Sequence, residues 1–357
     1  MAASIGIYGA GKVGRELLKF LVSNGIGGGF LLADPNHTMQ EVIDLLNQDY
    51  TYGLPQSCTL YDSSSFILTF SNGASVKVNY VQETDRSLLP LGSMGIDVII
   101  DCSGNTKNIT TCAAQFMTAG ARNAITIVPS NISTTERNAI SSDSGLTLFG
   151  INERSHSGNK WYIPDAQFIS TILPSLLVYQ YLSGKGFDVY NIDLNLQVSN
   201  LENSLLNSYT GYGSITGTFT HDSNYIGKII SALQPALAIN GKVHSTSVCY
   251  PVGNGNVSKI SIINNSTLTT SDIENIVCDL NQFQPDGTSE KDKNTSGFFK
   301  VNSCGPVNGK YFLNYMSKLG STMPVNNYTQ NTFFIGYDPV NVMVCESKFL
   351  IEFILGY

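Results

Sequence analysis

The stretch "SIGIYGAGKVGRELLKFLVSNG" constrains the fold more than any other part of this chain. A short apolar run ends in Gly9-x-Gly11-x-x-Gly14, and Val13, Leu17, Leu18 and Leu21 then recur at helical spacing. That order spells a buried strand, a tight turn and an amphipathic helix. A second apolar run, "GFLLADP", ends in Asp34, about 20 residues past the turn. Glycines in these places let a pyrophosphate approach the helix N-terminus, and an acid ending the second strand can hold an adenosine ribose. Gly9, Gly11, Lys12, Val13 and Asp34 are therefore the expected dinucleotide contacts. The same glycines also pack helix against sheet, so the turn admits NAD without requiring it.

The rest of the first half continues the pattern. "TMQEVIDLLNQ" predicts a helix and "LYDSSSFILTFSNGASVKVNYV" a small stranded insertion. "GIDVIIDCSGN" predicts a buried parallel strand, followed by a helix through "TTCAAQFMTAGA" and strands at "NAITIVP" and "LTLFGIN". Strands alternating with helices imply a doubly wound parallel sheet. A helix from about residue 167 to 183 then leads into long alternating strands, "DVYNIDLNLQVSN" and "GNVSKISIIN", with a helix at "TSDIENIVCDLNQF" and a polar loop behind it. The expected fold class is α/β: a Rossmann-type domain over 1–164, an α+β domain with a mostly antiparallel sheet over 165–340, and a C-terminal helix over 341–357 returning to the first domain.

Composition narrows the function classes. Charged residues make up 13% of the chain and the net charge is −7, against about 25% charged in ordinary soluble domains. With no basic run, nucleic acid is not an expected partner. No window reaches the ~20 apolar residues of a membrane helix, and "MAASIGIYGAG" runs into the strand and turn without a signal pattern. A cytoplasmic protein is expected, and the same features leave room for a nuclear place or one within a particle. The seven cysteines are scattered and lack CxxC spacing, so no metal site is expected. Asn (33 residues) and Tyr (18) take surface positions where Lys and Glu usually stand. Lineage bias is the plain explanation. The alternative is a surface built to be covered, because few long charged chains lower the entropy and desolvation costs of packing surfaces together.

An ordered series of segments resembles the glyceraldehyde-3-phosphate dehydrogenases. "IGIYGAGKVGREL" is similar to their G-[FY]-G-R-I-G-R opening, "LLADPN" to their "NDP" strand end, and "NQDYTYGLP" to their "YDSTHG" segment. "IDVIIDCSGN" resembles their strand ending in Ser-Thr-Gly through Ser103 and Gly104, which the resemblance adds to the cofactor contacts. "ARNAITIVPS", "LFGIN" and "INGKVHSTSVCYPVGNGNVSKISI" follow in family order. NAD, a two-domain fold and a tetramer whose second-domain sheets pack face to face are what the resemblance implies.

The same resemblance implies that the catalytic set is gone. Against the family's "SNASCTTN", "PDAQFISTI" places Phe168 at the nucleophile, and a phenyl ring cannot attack an aldehyde carbon. Ser199 or a neighbour stands at the base, Cys249 at the phosphate-binding arginine, and Ser347 near the asparagine that holds nicotinamide. The expectation is a pseudoenzyme with no catalytic residues. Its role would be structural, as a homo-oligomer, a tetramer or a larger ordered array such as a crystalline or occlusion-type matrix. The alternatives are an NAD-binding regulator and, behind it, an NAD-dependent aldehyde oxidoreductase with a rebuilt site.

Overall fold

The computed structural model describes residues 3–48, 55, 57–104 and 109–128. It also describes residues 135, 139–140, 145–147, 158, 160–164 and 186, six strands between 189 and 337, residue 265, and the segment 339–356. The chain divides into two compact units, Met1–Ala166 with Met343–Tyr357, and Gln167–Val342.

In the first unit, β1 (Ser4–Tyr8) leads through the glycine turn into α1 (Lys12–Ser23), and β2 (Gly29–Ala33) into α2 (Met39–Gln48). The insertion forms β3 (Ser57–Asp62), β4 (Ser65–Thr69) and β5 (Ser75–Val81). A single 3₁₀ turn (Arg86–Leu88) precedes β6 (Val98–Asp101), α3 (Ile109–Thr118), β7 (Asn123–Thr126) and the two-residue β8 (Trp161–Tyr162). The sheet order is β3-β4-β5-β2-β1-β6-β7-β8. Strands β5, β2, β1, β6, β7 and β8 run parallel, and β3, β4 and β5 pair antiparallel. This is the Rossmann-type doubly wound arrangement. The chain leaves β1 toward β2 on one side and returns to β6 on the other, which opens a crevice at the C-terminal ends of β1 and β6.

Burial on both faces explains the apolar runs. Every residue of β6 is buried, as are Ile5, Ile7 and Tyr8 of β1. One side of the sheet carries a cluster in which Tyr8, Leu31, Ile96 and Ile99 meet Cys112, Ala113 and Phe116 of α3. Strand β8 has no counterpart among the expected elements. Its two residues pair with Ala124 and Ile125, and Ile163 continues the sheet in a parallel bridge to Leu146.

The second unit holds one six-stranded sheet, β10-β9-β11-β14-β13-β12. Its strands are β9 (Val189–Ser199), β10 (Val243–Tyr250), β11 (Asn256–Asn264), β12 (Phe299–Val301), β13 (Asn314–Val325) and β14 (Tyr328–Tyr337). The central pairs β9–β11, β11–β14 and β14–β13 are antiparallel, while β9–β10 and β12–β13 are parallel. The helices expected near 167–183 and at "TSDIENIVCDLNQF" lie outside the described residues, as does most of "LTLFGIN". The final helix, α4 (Pro339–Leu355), starts before the expected residue 341, because Pro339 suits a first helical position, where no N–H is needed. Its Phe353 ring meets Tyr162 of β8 edge to face, at 6.4 Å.

The outer strand β3 is closed by a side chain. The Asn47 amide donates to the Cys58 carbonyl at 2.9 Å, and the Cys58 N–H donates to the Asn47 carbonyl oxygen at 3.1 Å. Asn47 thus satisfies both main-chain groups of Cys58 on the side of β3 away from β4. Asn47→Ala should lower stability by about 1–2 kcal/mol, read as a fall in the urea midpoint with an unchanged slope.

Candidate functional site

The crevice is built on a close backbone approach. Gly9 has φ +104, and a Cβ placed on it would lie 2.6 Å from both the Cα and the N of Ser103. A Cβ on Gly14 would lie 2.0 Å from the Gly9 carbonyl oxygen. Only glycine fits either position, so the turn from β1 sits directly against the loop after β6. The Cys102 N–H donates to the Tyr8 carbonyl, and the Gly9 N–H to the Ala33 carbonyl, each at 2.7 Å. Helix α1 then begins at Lys12 with Gly11 at its N-cap, no side-chain cap and no acid in its first turn. An uncapped helix start beside glycine-lined backbone suits a pyrophosphate. Gly9, Gly11, Lys12, Val13, Ser103 and Gly104 are brought together here, and Gly104 takes a left-handed φ of +65.

Asp34 stands at the end of β2 and is buried. Its Oδ2 accepts from the Ala10 N–H at 2.5 Å. Its Oδ1 accepts from the N–H groups of Asn36 and His37, each at 2.8 Å, and lies 3.0 Å from His37 Nδ1. Burial alone would raise the carboxyl pKa, yet the bonds from Ala10, Asn36 and His37 hold it below its ordinary value of 3.8. The residues present fit a dinucleotide: a glycine cradle, a bare helix start and an acid at the ribose place. NAD would supply hydride-transfer chemistry wherever a substrate site accompanied it.

A buried cation, absent from the expected contacts, supports the same crevice. Arg86 Nε donates to Asp101 Oδ2 at 2.9 Å, and one of its terminal nitrogens donates to the Ser103 hydroxyl at 3.0 Å. Asp101 Oδ1 accepts from the Ser103 N–H at 2.9 Å. The guanidinium lies 4.6 Å from the Tyr8 ring centre and 5.8 Å from that of Phe116, within cation–π range. Burial pushes the Tyr8 phenol up to about 12 against the opposing pull of Arg86. The Tyr8 hydroxyl contacts the carbonyls of Glu83 and Thr84 at 3.3 and 3.1 Å. A lone arginine after a strand carries no periodic signal, and only its neighbour Asp85, which caps the 3₁₀ turn, marks the place.

Neither Cys58 nor Cys102 is poised for attack. Desolvation pushes Cys58 up to about 12. Cys102, at the crevice, keeps some exposure, yet desolvation of its thiol and the Asp101 carboxylate push it well above the ordinary value. Among the described residues no group of three or more His, Cys, Asp and Glu could hold a metal, and no helix is long and apolar enough to cross a membrane.

Phe168 lies outside the described residues. Ser199 and Cys249 fall on adjacent parallel strands of the second unit, where Tyr250 partners Ser199 and Cys249 partners Val198. Ser347 lies inside α4, fully buried, with its hydroxyl unpartnered. Strand β14 ends at Tyr337 and α4 begins two residues on.

A Rossmann-type α/β fold with a glycine-turn crevice defines the class of this chain. Within that class it is similar to glyceraldehyde-3-phosphate dehydrogenases. It is 22% identical to that of Eremothecium gossypii over 273 residues, 76% of each chain. It is 22% identical to that of Ogataea parapolymorpha over 282 residues, 76% of this chain and 77% of the other. Glyceraldehyde-3-phosphate dehydrogenase 1 of Kluyveromyces marxianus is 27% identical over 157 residues, 44% of this chain and 43% of its own. No protein-family model matches the chain.

The side chains of Arg86 and Asp101 are 7% and 3% exposed. Arg86→Met should therefore cost about 3–5 kcal/mol by stranding Asp101, and the pair Arg86→Met with Asp101→Leu should recover much of it in a urea titration. The depressed Asp34 pKa means its ionised form adds stability that is present at neutral pH. That stability is lost as pH falls through the folded value, below 3.8. Melting curves from pH 6 down to pH ~3 should fall more steeply for the wild type than for Asp34→Asn.

Proposed function

We propose that this chain is a catalytically inactive relative of glyceraldehyde-3-phosphate dehydrogenase with a structural role in a self-assembled homo-oligomer. The observation that carries the reading is the set of residues at the functional positions. By the resemblance, Phe168 stands at the nucleophile. Ser199 and Cys249, at the base and the phosphate anchor, fall on neighbouring strands and are neither a histidine nor an arginine. By the same resemblance, Ser347 stands near the asparagine that holds nicotinamide. The protonated thiols of Cys58 and Cys102 support the same reading, because neither is an activated nucleophile. A tetramer or larger array suits the low charge and the Asn- and Tyr-rich composition, since interfaces gain from tyrosine and lose from mobile charges.

A second reading is an NAD-binding regulator. It is favoured by the close fit of Gly9 and Gly14 in the glycine turn and by the uncapped start of α1. The two readings share an idle catalytic site and differ in whether the crevice is used.

With glyceraldehyde-3-phosphate, NAD and phosphate, no NADH should form above a no-enzyme control, and Phe168→Cys alone should not change this. Turnover abolished by mutating one cysteine would overturn the pseudoenzyme reading. Light scattering should show an assembly larger than one chain at micromolar concentration that moderate salt does not disperse; a monomer would remove the structural role. An upward melting shift with added NAD would favour the regulator.

A further inference from the structure

The Asp34 carboxylate meets four donors of the chain: the Ala10 N–H at Oδ2, and the N–H groups of Asn36 and His37 with the His37 imidazole at Oδ1. Oδ1 has about two lone-pair sites for its three donors, so a ribose diol that engages both oxygens must displace one of them. Three are main-chain groups fixed by the fold. The Ala10 N–H belongs to the glycine turn, and the loop after β2 is held on its far side, where the Tyr80 hydroxyl donates to the His37 carbonyl. The nearby Glu41 is engaged elsewhere, accepting from the N–H and the hydroxyl of Thr38. The His37 imidazole is the only side chain among the four donors, and its side chain is 39% exposed while that of Asp34 is 4% exposed. It can swing into solvent without moving the backbone.

We propose that His37 is an internal competitor for the ribose place, and that its imidazole decides whether Asp34 is open to a 2′,3′-diol. The proposal rests on reading the glycine turn as able to hold a dinucleotide. His37 lowers adenosine affinity by occupying Asp34 Oδ1 in the ligand-free chain. A nucleotide that engages the acid must first turn the imidazole out. The ribose acid therefore has a second duty: it joins the glycine turn to the loop after β2 when no ligand is present.

The test is calorimetric titration of the full chain and of His37→Ala with NAD, with ADP, and with 2′,3′-dideoxyadenosine 5′-diphosphate. His37→Ala should bind NAD and ADP about fivefold more tightly than the wild type, the effect of one displaced hydrogen bond. Its affinity for the dideoxy compound should be unchanged, and His37→Gln, which keeps a side-chain donor, should stay near the wild type. Equal NAD affinity in wild type and His37→Ala would overturn the role of His37 and leave the turn a binding site. Absence of NAD binding in both, up to millimolar concentration, would overturn the role and the dinucleotide reading together. An equal gain for the dideoxy compound would overturn the diol-specific role by tracing the effect to general loosening of the loop.

Discussion

The first unit depends on how closely two pieces of backbone approach at the end of its central strand. β1 bonds to β2 on one side and to β6 on the other, so both halves of the sheet are referred to it. At its C-terminal end the chain must turn within the space left by the loop after β6, and a Cβ on Gly9 would fall inside that loop. The turn, the entry of α1 and the position of Ser103 are consequences of this one steric limit.

The polar groups around that point are arranged in two different ways. Arg86 and Asp101 form a buried ion pair held by aromatic rings and by Ser103, a pairing whose desolvation cost is offset only when nearly every donor and acceptor has a partner. Asp34 instead keeps its charge with main-chain donors and the His37 imidazole. The first arrangement stiffens the loop after β6. The second leaves one replaceable partner, so the two sides of the same crevice differ in how readily they can yield to a ligand.

The sequence made the parallel sheet legible because its signals are local and repeated. "IDVII" can only be a strand buried on both faces, and α1 shows an apolar stripe behind three glycines. Asp34 was legible for the same reason, through its fixed distance from the turn. Arg86, Tyr8 and His37 were not, since each matters through contacts made across the fold, and no spacing in the chain announces them. β8 escaped notice because two residues are too few to show alternation.

The paired hydrogen bonds between Asn47 and Cys58 bear on how the rim of the sheet can be used. An open-ended sheet invites another chain to continue it, and repeated continuation yields a filament. Here the first rung on the outer side of β3 is already filled by an amide from the chain's own helix. A strand added along this rim would have to displace that amide before it could pair with Cys58.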